Sequence, residues 1–245
     1  MPGSPGEHVV PADALIVSPL PAVVTVWSDV GCPWASLALH VLRSTIKGSG
    51  APILIDHRAF PLELFNKRST PKPITDAEVV AIAGMVEGLE WRQWAAPDWT
   101  FIATTLPALE AVQVAKDPAI GGLAASDQLD AELRRAFFSD HLCISVIPTI
   151  LEVAERCPLV NVARLSEAMK TGRGRAAIYD QWVVAQREEV VCSPHVFAAS
   201  GFAQANPGVT YRWLGEPETG FPRLETYDPA WAVQLIDEVC AASPS

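Results

Sequence analysis

Cys32 is the residue whose surroundings give it chemistry. It follows Val23-Val24-Thr25-Val26-Trp27, a β-branched and aromatic run that predicts a strand. It precedes Pro33, which suits the first turn of a helix because its missing N–H would have no intrahelical partner there. A strand that hands over to a helix at a Cys-Pro pair places the sulfur at the helix N-terminus. There the unpaired N–H groups and the positive end of the helix dipole favour the thiolate, the nucleophilic form of cysteine. Asp29 acts in the opposite sense, since a carboxylate beside a thiol raises its pKa.

The other cysteines are less eloquent. Cys192 lies two residues before Pro194 and reads as a small core residue of a strand, or as a second thiol if it reaches the face that Cys32 occupies. Cys143, Cys157 and Cys240 fall in helical segments or at their ends and read as packing residues. Five cysteines, an odd number without zinc-like pair spacing, predict reduced thiols and neither a metal site nor a disulfide framework. His40 and His195 are the histidines that would move protons if they reached Cys32.

The words Trp27-Ser28-Asp29-x-x-Cys32-Pro33-Trp34 resemble the DsbA-like branch of the thioredoxin-fold superfamily, and His57-Arg58-Ala59-Phe60-Pro61-Leu62-Glu63 is similar to the segment by which that family leaves its second strand. The resemblance implies an α/β thioredoxin fold (βαβ…ββα) with a large all-helical insertion, and thiol–disulfide chemistry at Cys32. It also implies that Pro194 is the cis-proline facing the active cysteine, with Ser193 presenting backbone groups to an extended thiol substrate. Pro33, Trp34, Ser193 and Pro194 are thus the substrate-binding candidates. Family members carry Cys-x-x-Cys, whereas this chain has Ala35 at the second position, so the dithiol cycle cannot run through the motif. Related isomerases and kappa-class glutathione transferases place a serine where Cys32 stands; Ser36, four positions later, does not match it and reads as a helix surface or packing residue.

The elements that must position these residues follow from periodicity. A strand at 22–27, a helix from Pro33 to about Lys47 ended by Gly48-Ser49-Gly50, and a second, parallel strand over 52–60 form a βαβ unit. Helical patterns follow at Ala77–Glu90, Thr104–Lys116, Ser126–Phe138, Val146–Glu155, Val162–Met169 and Arg175–Glu189. Strand character returns at Val190–Ala198, and Val209–Trp213 after Asn206-Pro207-Gly208 predicts its hairpin partner. Asp228 as N-cap and Pro229 at the first helical position open a final helix. The resulting division is a leader over 1–20, a thioredoxin-like part over 21–62 and 190–245, and a helical part over 63–189. Trp91, Trp94 and Trp99 read as cover for the helical core, with a groove lining as the alternative.

With 49% hydrophobic residues in 245, the chain can bury a sizeable core. Its formal net charge of -10 leaves no general cationic surface for phosphates, so nucleic acid and anionic membranes are not expected partners. Residues 1–21 lack Lys and Arg and make no convincing signal peptide, Pro2 excludes the Gly of an N-myristoylation site, and no apolar run reaches the ~18 residues of a membrane span. The cytoplasm is the expected location. Three functions are compatible with these residues. The first is a monothiol disulfide oxidoreductase with glutathione as cosubstrate and no tightly bound cofactor. The second is a glutathione-dependent isomerase or transferase, and the third a non-catalytic thiol- or peptide-binding module. The oligomeric state is not encoded in any motif.

Overall fold

The structure, a computed structural model, describes residues 16–187 and 189–242; most of the expected leader lies outside them. Strand β1 (Val23–Ser28) is buried along its whole length, and helix α1 (Pro33–Ser49) follows it with Cys32 as N-cap and Gly50 in the left-handed region (φ 67°) closing its C-terminus. Strand β2 (Leu54–Ala59) runs parallel to β1 from the Val23–Leu54 pair to the Ser28–Ala59 pair. Alternation along β1 sends Val24 and Val26 to the face covered by Leu37, Leu39 and Leu42 of α1, and Trp27 to the opposite face with Phe60 and Phe197. The fully buried Trp27 donates its indole N–H to the carbonyl of Ile16 at 2.8 Å.

Among the described residues, seven α-helices and a short 3-10 turn (Asp98–Thr100) lie between β2 and the next strand: α2 (Leu62–Asn66), α3 (Lys72–Ala83), α4 (Leu106–Ala115), α5 (Gly122–Phe138), α6 (Ile147–Ala154), α7 (Val162–Lys170) and α8 (Arg175–Ala185). Leu109, Leu129, Leu133, Phe137, Ile150 and Leu165 centre their common core. Several bounds depart from the sequence reading, among them the start of α5 at Gly122 rather than Ser126. Helix α3 begins at Lys72 rather than Ala77, because Pro73 sits where no N–H is required, and it stops before Gly84. Helix α8 ends at Ala185 rather than at residue 189. Trp94 is buried against Phe101 and Phe137, and Trp91 packs on Phe138, so both belong to this core; Trp99 is 86% exposed.

Strands β3 (His195–Ala198) and β4 (Ala203–Ala205) complete a sheet of order β2-β1-β3-β4, with β3 antiparallel to β1. The expected pairing of Val190–Ala198 with Val209–Trp213 is corrected here. Residues 190–194 are not strand, the partner of β3 is the short β4, and β5 (Val209–Leu214) pairs with β6 (Phe221–Tyr227) in a separate two-stranded sheet. Positive φ at Asn206 (46°) and Gly208 (74°) turns the chain away from the main sheet. A Cβ on Gly208 would lie 2.2 Å from the carbonyl oxygen of Asp228, so only glycine lets the two ends of the β5–β6 hairpin meet. Helix α9 (Trp231–Ala242) packs beside α1, preceded by a turn in which Asp228 accepts from the N–H of Ala230 at 2.9 Å.

Candidate thiol site

Cys32 stands where β1 gives way to α1. Its thiol donates to the carbonyl oxygen of Ser193 at 3.3 Å, and the Ser193–Pro194 peptide bond is cis. The hydroxyl of Ser193 accepts from the N–H of Asp29 at 2.9 Å, which ties the proline loop to the cysteine loop a second time. Pro33 opens α1, and Ala35 is fully buried beneath it. Trp34 is anchored by a 2.8 Å hydrogen bond from Nε1 to Glu78 Oε1 on α3, and its ring stacks on Tyr211 of β5 with centroids 3.9 Å apart and planes inclined by 10°. Cys32, Trp34, Ser193 and Pro194 therefore meet, and Glu78 and Tyr211 join them.

The loop is held from behind by polar groups. Asp29 accepts from Gly31 N (2.8 Å), Leu62 N (2.9 Å) and Thr105 Oγ1 (3.0 Å). Arg134 of α5 donates to Asp29 O (3.0 Å), Ser36 Oγ (2.8 Å) and Ser28 Oγ (2.9 Å) and forms two bonds with Asp130, of 2.8 and 3.0 Å. Ser36 Oγ donates in turn to the carbonyl of Cys32 at 3.0 Å. Ser36 is thus a buried link between the guanidinium and the cysteine backbone rather than a mere surface or packing residue. Gly31 fits closely in this turn, since a Cβ there would lie 2.9 Å from Thr105 Cγ2 and the threonine would have to shift.

Electrostatics corrects the expectation of a stabilised thiolate. Burial pushes the Cys32 thiol up to about 12, and the charges of Glu78 and Asp29 push the same way; the helix N-terminus, through the N–H of Ala35, acts in the expected direction and is outweighed. Burial likewise raises Glu78 to about 7, against the hydrogen bond from Trp34. In this closed arrangement Cys32 is a thiol at neutral pH.

The remaining candidates separate. Cys192 is half-buried, its thiol donates to the carbonyl of Pro194 at 3.1 Å, and burial raises its pKa. His195 is buried beside Phe197, accepts from Val191 N at 3.3 Å and is lowered to about 4 by burial, while His40 is exposed on α1; neither is hydrogen-bonded to Cys32. Cys157 is buried in the helical core and Cys143 packs against it, but Cys240 is exposed on α9 and is not a packing residue. All five thiols are free, and the described residues contain no cluster of metal-ligating side chains.

Sequence reasoning missed Glu78, Arg134 and Tyr211. Glu78 carried a signal, because it lies beside Thr75, Val79 and Ile82 on the buried face of α3, where a carboxylate needs a reason. Asp130 and Arg134, four residues apart on α5, likewise lie among buried positions. Nothing local marked Tyr211.

No protein-family model and no curated protein matches this sequence. Solved structures do. The cytosolic disulfide reductase DsbM of Pseudomonas aeruginosa, solved with GSH, aligns with a TM-score of 0.57 at 15% identity over 89% of this chain and 96% of its own. A second DsbM structure aligns at 0.52 and 17% identity over 89% and 95%. A Streptomyces coelicolor protein assigned as a DsbA oxidoreductase aligns at 0.59 and 14% identity over 91% and 92%. No described helix is long and apolar enough to cross a membrane. With its βαβ and ββα halves joined by helices and its Cys-Pro turn facing a cis-proline, the chain has the DsbA-like thioredoxin fold with a helical insertion.

Proposed function

We propose that this protein is a DsbA-like thiol–disulfide oxidoreductase of the cytoplasm that works with one thiol, Cys32, and uses glutathione as cosubstrate without a tightly bound cofactor. The observation that carries this reading is the contact of Cys32 Sγ with the Ser193 carbonyl at a cis Ser193–Pro194 bond, with Ala35 buried where a second thiol would stand. Residues 21–62 and 190–245 carry the sulfur and its binding surface of Pro33, Trp34, Ser193 and Pro194, and residues 63–189 back them. Ionised Cys32 attacks the glutathione sulfur of a mixed disulfide RS–SG and expels RS⁻, which takes up a proton. A glutathione thiolate then attacks the Cys32–glutathione disulfide, frees Cys32 and leaves glutathione disulfide. The net reaction is RS–SG + GSH → RSH + GSSG, so no second protein thiol is needed. Thiols and disulfides are its partners, in keeping with a chain too acidic for nucleic acid.

The test is glutathione-dependent reduction of a glutathione mixed disulfide by wild type and Cys32→Ser. Loss of turnover to the uncatalysed rate is expected; full turnover in the variant overturns the proposal. The raised pKa of Cys32 favours one second reading, a glutathione-dependent isomerase or transferase in which the neutral thiol donates to a bound glutathione thiolate. That reading predicts calorimetric glutathione binding that survives Cys32→Ser. No glutathione binding, together with no turnover, would leave a non-catalytic binding module.

A further inference from the structure

The β5–β6 hairpin shares no strand pairing with the four-stranded sheet, yet Val209, Tyr211, Leu224 and Tyr227 pack against the buried cluster that contains Cys32 and Trp34. Its ladder has one irregularity, between Thr210 and Tyr211. A bulge re-aims the residue beside it, and here that residue is Tyr211, stacked on Trp34. Cys32 and Trp34, both members of that cluster, are each only 4% exposed. The base of the hairpin is pinned, with Asp228 N donating to Gly208 O at 2.8 Å, while its turn carries Gly215 and Gly220. Disulfide exchange requires access to the attacking sulfur, so a substrate must displace part of the cover over Cys32, and the Tyr211 ring stacked on neighbouring Trp34 is the part of it that the hairpin supplies.

We propose that Tyr211 is the specificity-determining residue of the thiol site. Through it, the hairpin admits the slender disulfides of low-molecular-weight thiols to Cys32 and excludes disulfides embedded in folded proteins. A low-molecular-weight disulfide presents its sulfur on a single methylene and needs only a slot between two rings. A protein disulfide brings two backbones with it and needs the hairpin displaced. This inference rests on reading Cys32 as an exchanging thiol, but the gate is testable without turnover.

The full-length protein is alkylated at alkaline pH with iodoacetamide or with a polyethylene-glycol maleimide, and labelling is resolved by peptide mass spectrometry with exposed Cys240 as internal reference. In wild type, iodoacetamide should reach Cys32 while the polymer reagent labels Cys240 and leaves Cys32 free. Tyr211→Ala should raise polymer labelling of Cys32 relative to Cys240 by about tenfold, the upper range for losing an aromatic stack. Tyr211→Phe, which keeps the stack, should match wild type. Equal polymer labelling of Cys32 and Cys240 in wild type overturns the proposal by itself, even if Tyr211→Ala fails to fold; so does a folded Tyr211→Ala that labels as wild type does. In the turnover arm, Tyr211→Ala should gain on a disulfide-bonded protein and not on a low-molecular-weight glutathione mixed disulfide. Absence of all turnover would count against the exchange reaction, and the labelling ratio would still decide the gate.

Discussion

Two buried regions meet at the cysteine loop, and they treat ionisable groups in opposite ways. In front, burial raises Cys32 to about 12 and Glu78 to about 7, because no cation faces either of them. Behind, Asp130 is buried as deeply and Asp127 is half-buried, and burial alone would raise both. The charges of Arg43 and His57 instead bring Asp127 down to about 2, and those of Arg134, His57 and Arg43 hold Asp130 well below the usual carboxylate range. Arg43 lies 2.7 Å from Asp127 and 2.6 Å from Asp130, and His57 Nε2 lies 2.8 Å from Asp127. Burial is common to both regions; the partner decides the charge. The ionised side can therefore serve as a rigid brace between α1, β2 and α5, while on the front side burial keeps Cys32 a protonated thiol.

The comparison breaks most severely at Arg134. Arg134→Ala leaves Asp130 without its two-bonded guanidinium partner and frees the carbonyl of Asp29 and the hydroxyl of Ser36, so a loss of about 3–5 kcal/mol is expected in urea unfolding near neutral pH. A loss within the scatter of surface substitutions would show that the brace carries no stability.

Acid should weaken the rear region next. Asp127 has a folded pKa of about 2 against an ordinary 3.8. Its contribution, about 2 kcal/mol by linkage, is therefore present above pH ~4 and lost as pH falls toward ~2. Unfolding free energies measured over that window should show the decline in wild type and a shallower one in Asp127→Asn. Identical slopes would remove Asp127 from the account.

The smallest effect belongs to the front. Glu78→Gln retains a side-chain oxygen for Trp34 Nε1 and removes the negative charge that opposes ionisation of Cys32, so the Cys32 pKa should fall. A drop of half a unit would speed alkylation below the pKa roughly threefold. The rate should still climb with pH in both proteins, because burial is the larger cause. An unchanged or slower rate in the variant would place the Glu78 charge outside the field of the thiol.

Much of this architecture is local and was therefore legible. The β-branched run before Cys32, Pro33 in the first helical turn and the apolar periods of α1, α4, α6 and α7 each follow from the preferences of a few adjacent residues. The cis state of Ser193–Pro194 was legible only through resemblance, since a serine–proline pair by itself favours trans. The pairing of β3 was misread because Val209–Leu214 has the composition of a good strand, and composition does not name a partner.

The residue types around Cys32 and the absence of a second thiol at Ala35 were determined by the sequence alone, because covalent order and short-range sterics suffice for them. The state of the thiol was not. Glu78 lies forty-six positions from Cys32 and Tyr211 much farther; only the packing of α3 and the β5–β6 hairpin over the end of α1 brings them within reach. A helix terminus favours a thiolate through a few N–H groups, whereas desolvation depends on everything that excludes water. That sum is a property of the tertiary structure.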